Sequence, residues 1–203
     1  ILGIDQGPKN FGTCLIAYDG NDIVTAWEFF NADERATMRK NLIKLYTRVP
    51  KWIERLGGNP EGWKYTIVDQ DPPLDQIFDE LEDEGIQWPT DIQKRHRNLA
   101  KLQENWRREN QEFVNHMARG NHILFHLYEA QHSDESESPG GVMLHDQVKN
   151  CVDIQDSTDK DSTNAQQKGW HVTDPFRGDH VLDAWYLAVW MVASGQVFVQ
   201  NAD

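Results

Sequence analysis

The chain has 203 residues, eight of them Trp and eight Phe, enough to bury a sizeable core, and its formal net charge is -13. That balance argues against a simple nucleic-acid-coating protein, because phosphate binding usually carries a basic footprint, without excluding one; a local patch, not the total, decides a binding face. No apolar run reaches the roughly 20 residues of a membrane-spanning helix, and the two cysteines, Cys14 and Cys151, are too few for a disulfide framework or a four-thiolate zinc site.

No signal-peptide pattern is visible, and the chain starts inside a strand without an initiator Met. The expected setting is a reducing intracellular compartment: cytoplasm, nucleus, or mitochondrion if a leader precedes this sequence.

Ile1 to Gln6 reads as a buried strand that ends on a carboxylate, Asp5, and Thr13 to Tyr18 as a second strand. Asp19-Gly20-Asn21 is a turn signal, and Ile23 to Phe30 is a third strand, so the first three form an antiparallel meander. Asn31 or Asp33 caps a helix with apolar positions Met38, Leu42, Leu45, Val49, Trp52 and Leu56, ended by Gly57-Gly58 and kinked or broken at Pro50. Its other face is basic, with Arg35, Arg39, Lys40, Lys44, Arg48, Lys51 and Arg55, and reads as solvated surface or as a DNA-facing side.

Trp63 to Val68 is a fourth strand that also ends on an acid, Asp69. The acidic, Pro-flanked segment that follows, to about Pro89, reads as an insertion or loop. Thr90 to Arg119 reads as a second long helix with Ile92, Leu99, Leu102, Trp106, Phe113 and Met117 on one face, and Lys94, Arg95, Arg97, Lys101, Arg107 and Arg108 give it a positive side. Ile123 to Tyr128 is a fifth strand, the polar stretch from Gln131 to Lys168 reads as loop, and a last helix runs from Asp179 to about Ser194. The pattern implies one α/β domain over residues 1–203, a five-stranded mixed sheet of three antiparallel strands then two parallel, flanked by helices, with insertions or loops at 71–90 and 131–170.

A right-handed crossover makes strands one and four parallel, which puts Asp5 and Asp69 on one edge of the sheet. On the last helix His180 and Asp183 are three residues apart and Asp179 and Asp183 four apart, so at least two of these groups share a face. Two strand ends and one helix thus supply a carboxylate cluster of the kind that holds two Mg²⁺ or Mn²⁺ ions for in-line phosphodiester hydrolysis. His116, His122, His126 and His132 have no nearby Cys and read as structural or surface histidines. Gly140-Gly141 lacks the context of a phosphate loop.

The motifs Gly3-Ile4-Asp5-Gln6-Gly7-Pro8-Lys9-Asn10-Phe11-Gly12, Ile67-Val68-Asp69-Gln70 and Asp179-His180-Val181-Leu182-Asp183-Ala184, with this element order, resemble the ribonuclease H-like nucleases. Within them the chain resembles the RuvC-like Holliday-junction resolvases, particularly the viral and mitochondrial branch with its D-x-G-x-K-N signature. The resemblance implies Asp5, Asp69, His180 and Asp183 as catalytic metal ligands, with Asp179 in an outer position and Asp71 a rival to Asp69, since relatives carry the longer Glu there. It implies two Mg²⁺ or Mn²⁺ ions, with His180 favouring Mn²⁺ somewhat, and a homodimer acting on branched DNA, its best interface candidate the second long helix. Lys9 and Asn10 contact backbone phosphate or brace the active-site loop; Arg35, Arg39, Lys94, Arg95, Arg97 and Lys101 are the remaining DNA-contact candidates. Two other readings are a terminase-type nuclease of the same fold and a catalytically inactive module that binds DNA or protein.

Overall fold

The computed structural model describes residues 1–6, 10–31, 38–55, 57–70, 74–88, 91–96, 112–125, 137–139, 144, 147, 151–153, 170–172 and 180–197. The meander is present as expected: β1 (Leu2–Gln6), β2 (Phe11–Tyr18) and β3 (Ile23–Asn31) pair antiparallel, with Asp5 opposite Gly12. β4 (Tyr65–Gln70) joins β1 in parallel, with Ile4 opposite Val68. β5 (Asp91–His96) joins β4 in parallel. β6 (Ile123–Phe125) and β7 (Glu137–Pro139) add to β3, parallel and antiparallel respectively. The main path reads β5-β4-β1-β2-β3-β6, and β8 (Cys151–Asp153) and β9 (Trp170–Val172) form a separate antiparallel pair. Three antiparallel strands followed by two parallel ones, flanked by helices, is the mixed α/β arrangement expected from the sequence, and β6 and β7 extend it beyond the five strands expected.

Two helix layers cover the sheet. On one face α1 (Met38–Arg55) and α2 (Leu74–Asp83) bring Leu42, Leu45, Val49, Phe78 and Leu81 against Leu2, Ile4, Trp27, Phe29 and Val68. On the other, α3 (residues 112–119) and α4 (His180–Ala193) bring Met117, Val181, Trp185 and Ala188 against Cys14, Ile16, Ile23 and Phe30. β1 shows why a period of two matters: Leu2 and Ile4 fill the first face, which leaves Gly3 and Asp5 for the second. The hydroxyls buried in this core are satisfied, Thr13 donating to the Gly3 carbonyl at 2.7 Å and Thr25 accepting from the Trp185 indole at 3.2 Å.

Several expectations are corrected. The second long helix does not run from Thr90: Asp91–His96 is a strand, and only residues 112–119 of that span are described as helix. The segment has one apolar residue, Ile92, so it carries no alternating signal; it pairs with β4 through its backbone at the end of the sheet path. Trp106, part of the expected dimer interface, lies outside the described residues, and Phe113 and Met117 pack into the core. Ile123 onward is a strand but takes the far edge beside β3, while β5 holds the place next to β4.

The acidic segment after β4 contains α2. Its charged residues Asp79, Glu80, Glu82 and Asp83 point to solvent, and Phe78 and Leu81 are buried. α1 passes Pro50 without a break. A proline inside a helix costs about 3 kcal/mol, whereas Leu42, Leu45 and Val49 are each fully buried and contribute about 1.5–3 kcal/mol apiece, so burial of the stripe outweighs the lost hydrogen bond. The helix ends as expected at Gly57 (φ 77°), with Gly57 and Gly58 N–H groups donating to the Glu54 and Ile53 carbonyls, each at 2.9 Å.

The β2–β3 turn is fixed by Asp19, whose Oδ1 accepts from the backbone N–H of Asn21 (2.8 Å) and Asp22 (2.7 Å). These two bonds favour the ionised form and hold the Asp19 carboxyl below its usual value of 3.8. A carboxylate depressed on folding stabilises above its unfolded value and stops doing so as pH falls through its folded one. Asp19→Ala should therefore cost about 0.5 kcal/mol at neutral pH, water screening much of it, and the deficit should vanish in urea melts taken well below pH 3.8. A deficit unchanged by acid would assign it to the turn's backbone alone.

Candidate active site at the strand ends and the last helix

α4 lies across β1 and β2 because two glycines let it. A Cβ on Gly12 would sit 2.5 Å from the His180 carbonyl carbon and 2.7 Å from its Cβ, and a Cβ on Gly3 would run into the Ala184 carbonyl oxygen. Gly3, Gly12, His180 and Ala184 thus form a seam where helix and sheet backbones nearly touch. The seam brings the first turn of α4 to the residues around Asp5.

Asp5 is 1% exposed and His180 17%, and His180 Nδ1 is 2.6 Å from Asp5 Oδ2. The second ring nitrogen, Nε2, is 3.0 Å from Asn10 Nδ2. Phe30 stacks on the imidazole with ring centres 6.4 Å apart and planes 27° apart. Burying a carboxylate is costly unless it is paired and hydrogen-bonded, and the imidazole supplies that partner here. Asp183, in the first turn of α4, is also buried, next to the Ala184 carbonyl that abuts Gly3. A carboxylate at a helix N-terminus meets the positive end of the helix dipole, typically 0.3–1 kcal/mol.

The fourth-strand acid is placed by its backbone. Asp69 follows Val68, the partner of Ile4, so its position adjoins that of Asp5 on the neighbouring parallel strand. Across the other side of β4 its register partner is Arg95, and Val68 faces Lys94. Those two basic residues thus belong to an edge strand beside the acids, not to the positive side of a helix. Lys9, Arg35, Asp71, Arg97, Lys101 and Asp179 lie outside the described residues, as do His126, His132 and Gly140-Gly141.

The basic face of α1 is partly occupied within the molecule. Arg39 pairs with Glu84 just after α2, Lys44 Nζ sits 4.4 Å from the centre of the Phe29 ring, and the Arg55 guanidinium lies 5.0 Å from that of Trp52. His122 is 2.7 Å from Asp22 and ties β6 to the β2–β3 turn, the structural role expected for it. His116 is exposed on α3.

Sequence reading missed two residues that hold α4 in place. Gln147, fully buried, accepts the Leu182 N–H through Oε1 at 2.8 Å, satisfying one of the orphan donors of the first helical turn. Glu28, fully buried on β3, accepts the Leu144 N–H at 2.7 Å. Leu144 is itself in the core under α4. The polar stretch read as loop therefore supplies a core residue and a remote cap, and single residues of this kind leave no periodic signal. Glu28 also adjoins Cys14 in register, and burial followed by that carboxylate's charge pushes the Cys14 thiol well above its ordinary value, which leaves it inert.

The donors fit a divalent cation in kind. Carboxylate oxygens suit Mg²⁺ and Mn²⁺, and an imidazole nitrogen is acceptable to Mn²⁺. Among the described residues no three His, Cys, Asp or Glu side chains gather into a metal-binding group. Instead Asp5 and His180 hydrogen-bond to each other, closer than the roughly 3 Å that separates neighbouring ligands about 2.1 Å from one ion. Among the described residues, too, no helix is long and apolar enough to cross a membrane.

No protein-family model matches the sequence, and no curated protein matches it. A solved structure, T. thermophilus RuvC in complex with Holliday junction substrate, is similar over 98% of this chain and 95% of that one, at 12% sequence identity and a TM-score of 0.39.

Proposed function

We propose that this protein is a metal-dependent, structure-selective DNA endonuclease that resolves four-way junctions. The observation that carries the reading is the meeting of Asp5, at the end of the central strand, with His180, at the start of the last helix, next to the strand position of Asp69. The junction substrate is the part drawn from the sequence motifs and their resemblance to the RuvC-like resolvases.

Asp5, Asp69, His180 and Asp183 would hold two Mg²⁺ or Mn²⁺ ions, with Asp179 outside them and Asp71 the rival to Asp69. Such ions supply an activated water and stabilise the leaving oxygen. The chain's own contribution is placement. Gly3 and Gly12 seat α4, Gln147 fixes its first turn, the Asp5 bond and the Phe30 stack set the plane of the His180 ring, and burial keeps Asp5 from bulk water. Lys94 and Arg95, on the strand beside the acids, and Lys9, Arg35, Arg39, Arg97 and Lys101 are the candidates for phosphate contacts that offset the net negative charge.

A four-way junction offers two strands at two-fold related positions, so a closed homodimer with one acid cluster per subunit would cut it symmetrically. Light scattering should give twice the chain mass, and a monomer that makes paired cuts in one encounter would remove the dimer from this scheme. The substrate class is tested by incubating the protein with matched junction, duplex and flap DNAs, with and without Mn²⁺. Cleavage confined to the junction and to Mn²⁺ is the expected result. Equal cutting of duplex favours a terminase-type nuclease, and junction binding without cutting in any metal favours a binding module.

A further inference from the structure

The second residue of the Lys9-Asn10 pair sits on the imidazole of His180, not on the surface alone. An ionised Asp5 carboxylate can only accept, so the proton on the 2.6 Å contact belongs to His180 Nδ1. A neutral ring with its proton on Nδ1 presents a lone pair at Nε2, and the atom facing that lone pair at 3.0 Å is the amide nitrogen of Asn10, a donor. With Asp5 ionised and the ring neutral, the three side chains form one chain of directed hydrogen bonds, Asn10 to His180 to Asp5. A histidine that ligates a metal commonly does so with one nitrogen while the other N–H is held by a carboxylate. Here the carboxylate side of that arrangement is already made, on Nδ1.

Resting on the nuclease reading above, we infer that Asn10 is a positioning residue whose amide holds the place of a divalent cation: the cation takes His180 at Nε2 by displacing the Asn10 N–H, while Nδ1–H stays on Asp5 Oδ2. The ring does not need Asn10 to stay oriented, because the Asp5 bond, the Phe30 stack and the close packing of the His180 backbone on Gly12 all remain. The Asn10 bond is therefore a cost of cation binding and not a support for it. Two alternatives differ in atoms. A cation on Nδ1 would break the Asp5 bond, and a phosphate contact by Asn10 would leave the His180 nitrogens unchanged when metal is added without DNA.

The test uses full-length, ¹⁵N-labelled protein and Mg²⁺, which is diamagnetic, with ring-nitrogen spectra and calorimetry as readouts that need no cleavage. In wild type without Mg²⁺, Nδ1 should be the protonated nitrogen and Nε2 the lone-pair nitrogen; Mg²⁺ should move the Nε2 resonance and leave Nδ1 protonated. Asn10→Leu keeps the bulk and removes the donor, so Mg²⁺ should bind roughly two- to tenfold more tightly, the worth of one hydrogen bond no longer broken. Saturable Mg²⁺ binding that moves Nδ1, or neither nitrogen, overturns the inference and leaves the nuclease reading standing, as does weaker binding by a folded Asn10→Leu protein. If Asn10→Leu does not fold, the wild-type spectra decide alone. A wild type that binds no Mg²⁺ or Mn²⁺ removes the nuclease reading, and the inference goes with it.

Discussion

Asp5→Asn should abolish Mn²⁺-dependent cleavage, by at least about a thousandfold or about 4 kcal/mol of transition-state stabilisation, while junction binding changes by no more than a few-fold. The amide has the carboxylate's shape, and its oxygen can still accept the His180 Nδ1–H, so the bond seen at 2.6 Å survives in form. What is lost is the charge that, on the proposed reading, would offset a divalent cation. Phosphate contacts would come from residues elsewhere and carry most of the affinity for DNA. Gel-shift and cleavage assays on the same junction separate the two effects. Full activity in the variant would take Asp5 out of the reaction and leave it as a buried partner of His180.

Gly12→Ala should be, with Gly3→Ala, among the most damaging added methyl groups at the described glycines. The added Cβ meets backbone atoms of His180 at 2.5 and 2.6 Å, and backbone cannot rotate away as a long side chain can. Overpacking typically costs 1–3 kcal/mol, and this site should lie at or above the top of that range, roughly 3 kcal/mol, lowering Tm by about 6–12 °C for a chain of this size. Because relief requires α4 to lift from β2, cleavage should fall even at temperatures where the variant is folded. Gly57→Ala is the contrast. Nothing lies within 4 Å of its Cβ, and only the positive φ of 77° opposes the side chain, so its cost should be about 1–2 kcal/mol with cleavage intact. Calorimetric melts and cleavage rates of the two proteins check the difference; similar losses from both would mean that the seam between α4 and the sheet is looser than the contact distances imply.

These two glycines mark the border of what the sequence made legible. β1 to β4 and the last helix could be read because apolar residues recur with the right period and the acids stand at their ends: Asp5 after Leu2 and Ile4, Asp69 after Ile67 and Val68, Asp183 within an apolar helix. The meeting of Asp5 with His180 followed from that order. Asp91–His96 could not be read, because an edge strand is held by backbone pairing and tolerates Gln93, Lys94 and Arg95 where an inner strand would need apolar residues. α2 was hidden by its own charge, since four acids crowd the face away from Phe78 and Leu81. Gln147 and Glu28 were invisible for a different reason: each acts through one hydrogen bond to a backbone N–H more than thirty residues away, and such a bond leaves no trace in local pattern. The roles of Gly3 and Gly12 belong to the same class, since a glycine needed for close approach of two backbones looks in sequence like a glycine needed for a turn.

The proposed convergence of two strand ends and one helix on a divalent cation is most directly tested by titrating Mn²⁺ against the wild-type protein and Asp183→Asn without DNA, following the loss of the free-ion electron paramagnetic resonance signal. Asp183 is buried in the first turn of α4, three residues from His180, so its charge reaches the cation only if helix and strands share one site. The expected result is saturable binding by the wild type and binding at least about tenfold weaker in a folded Asp183→Asn protein. A wild type that leaves the Mn²⁺ signal untouched, or a variant that binds Mn²⁺ as well as the wild type does, would contradict it.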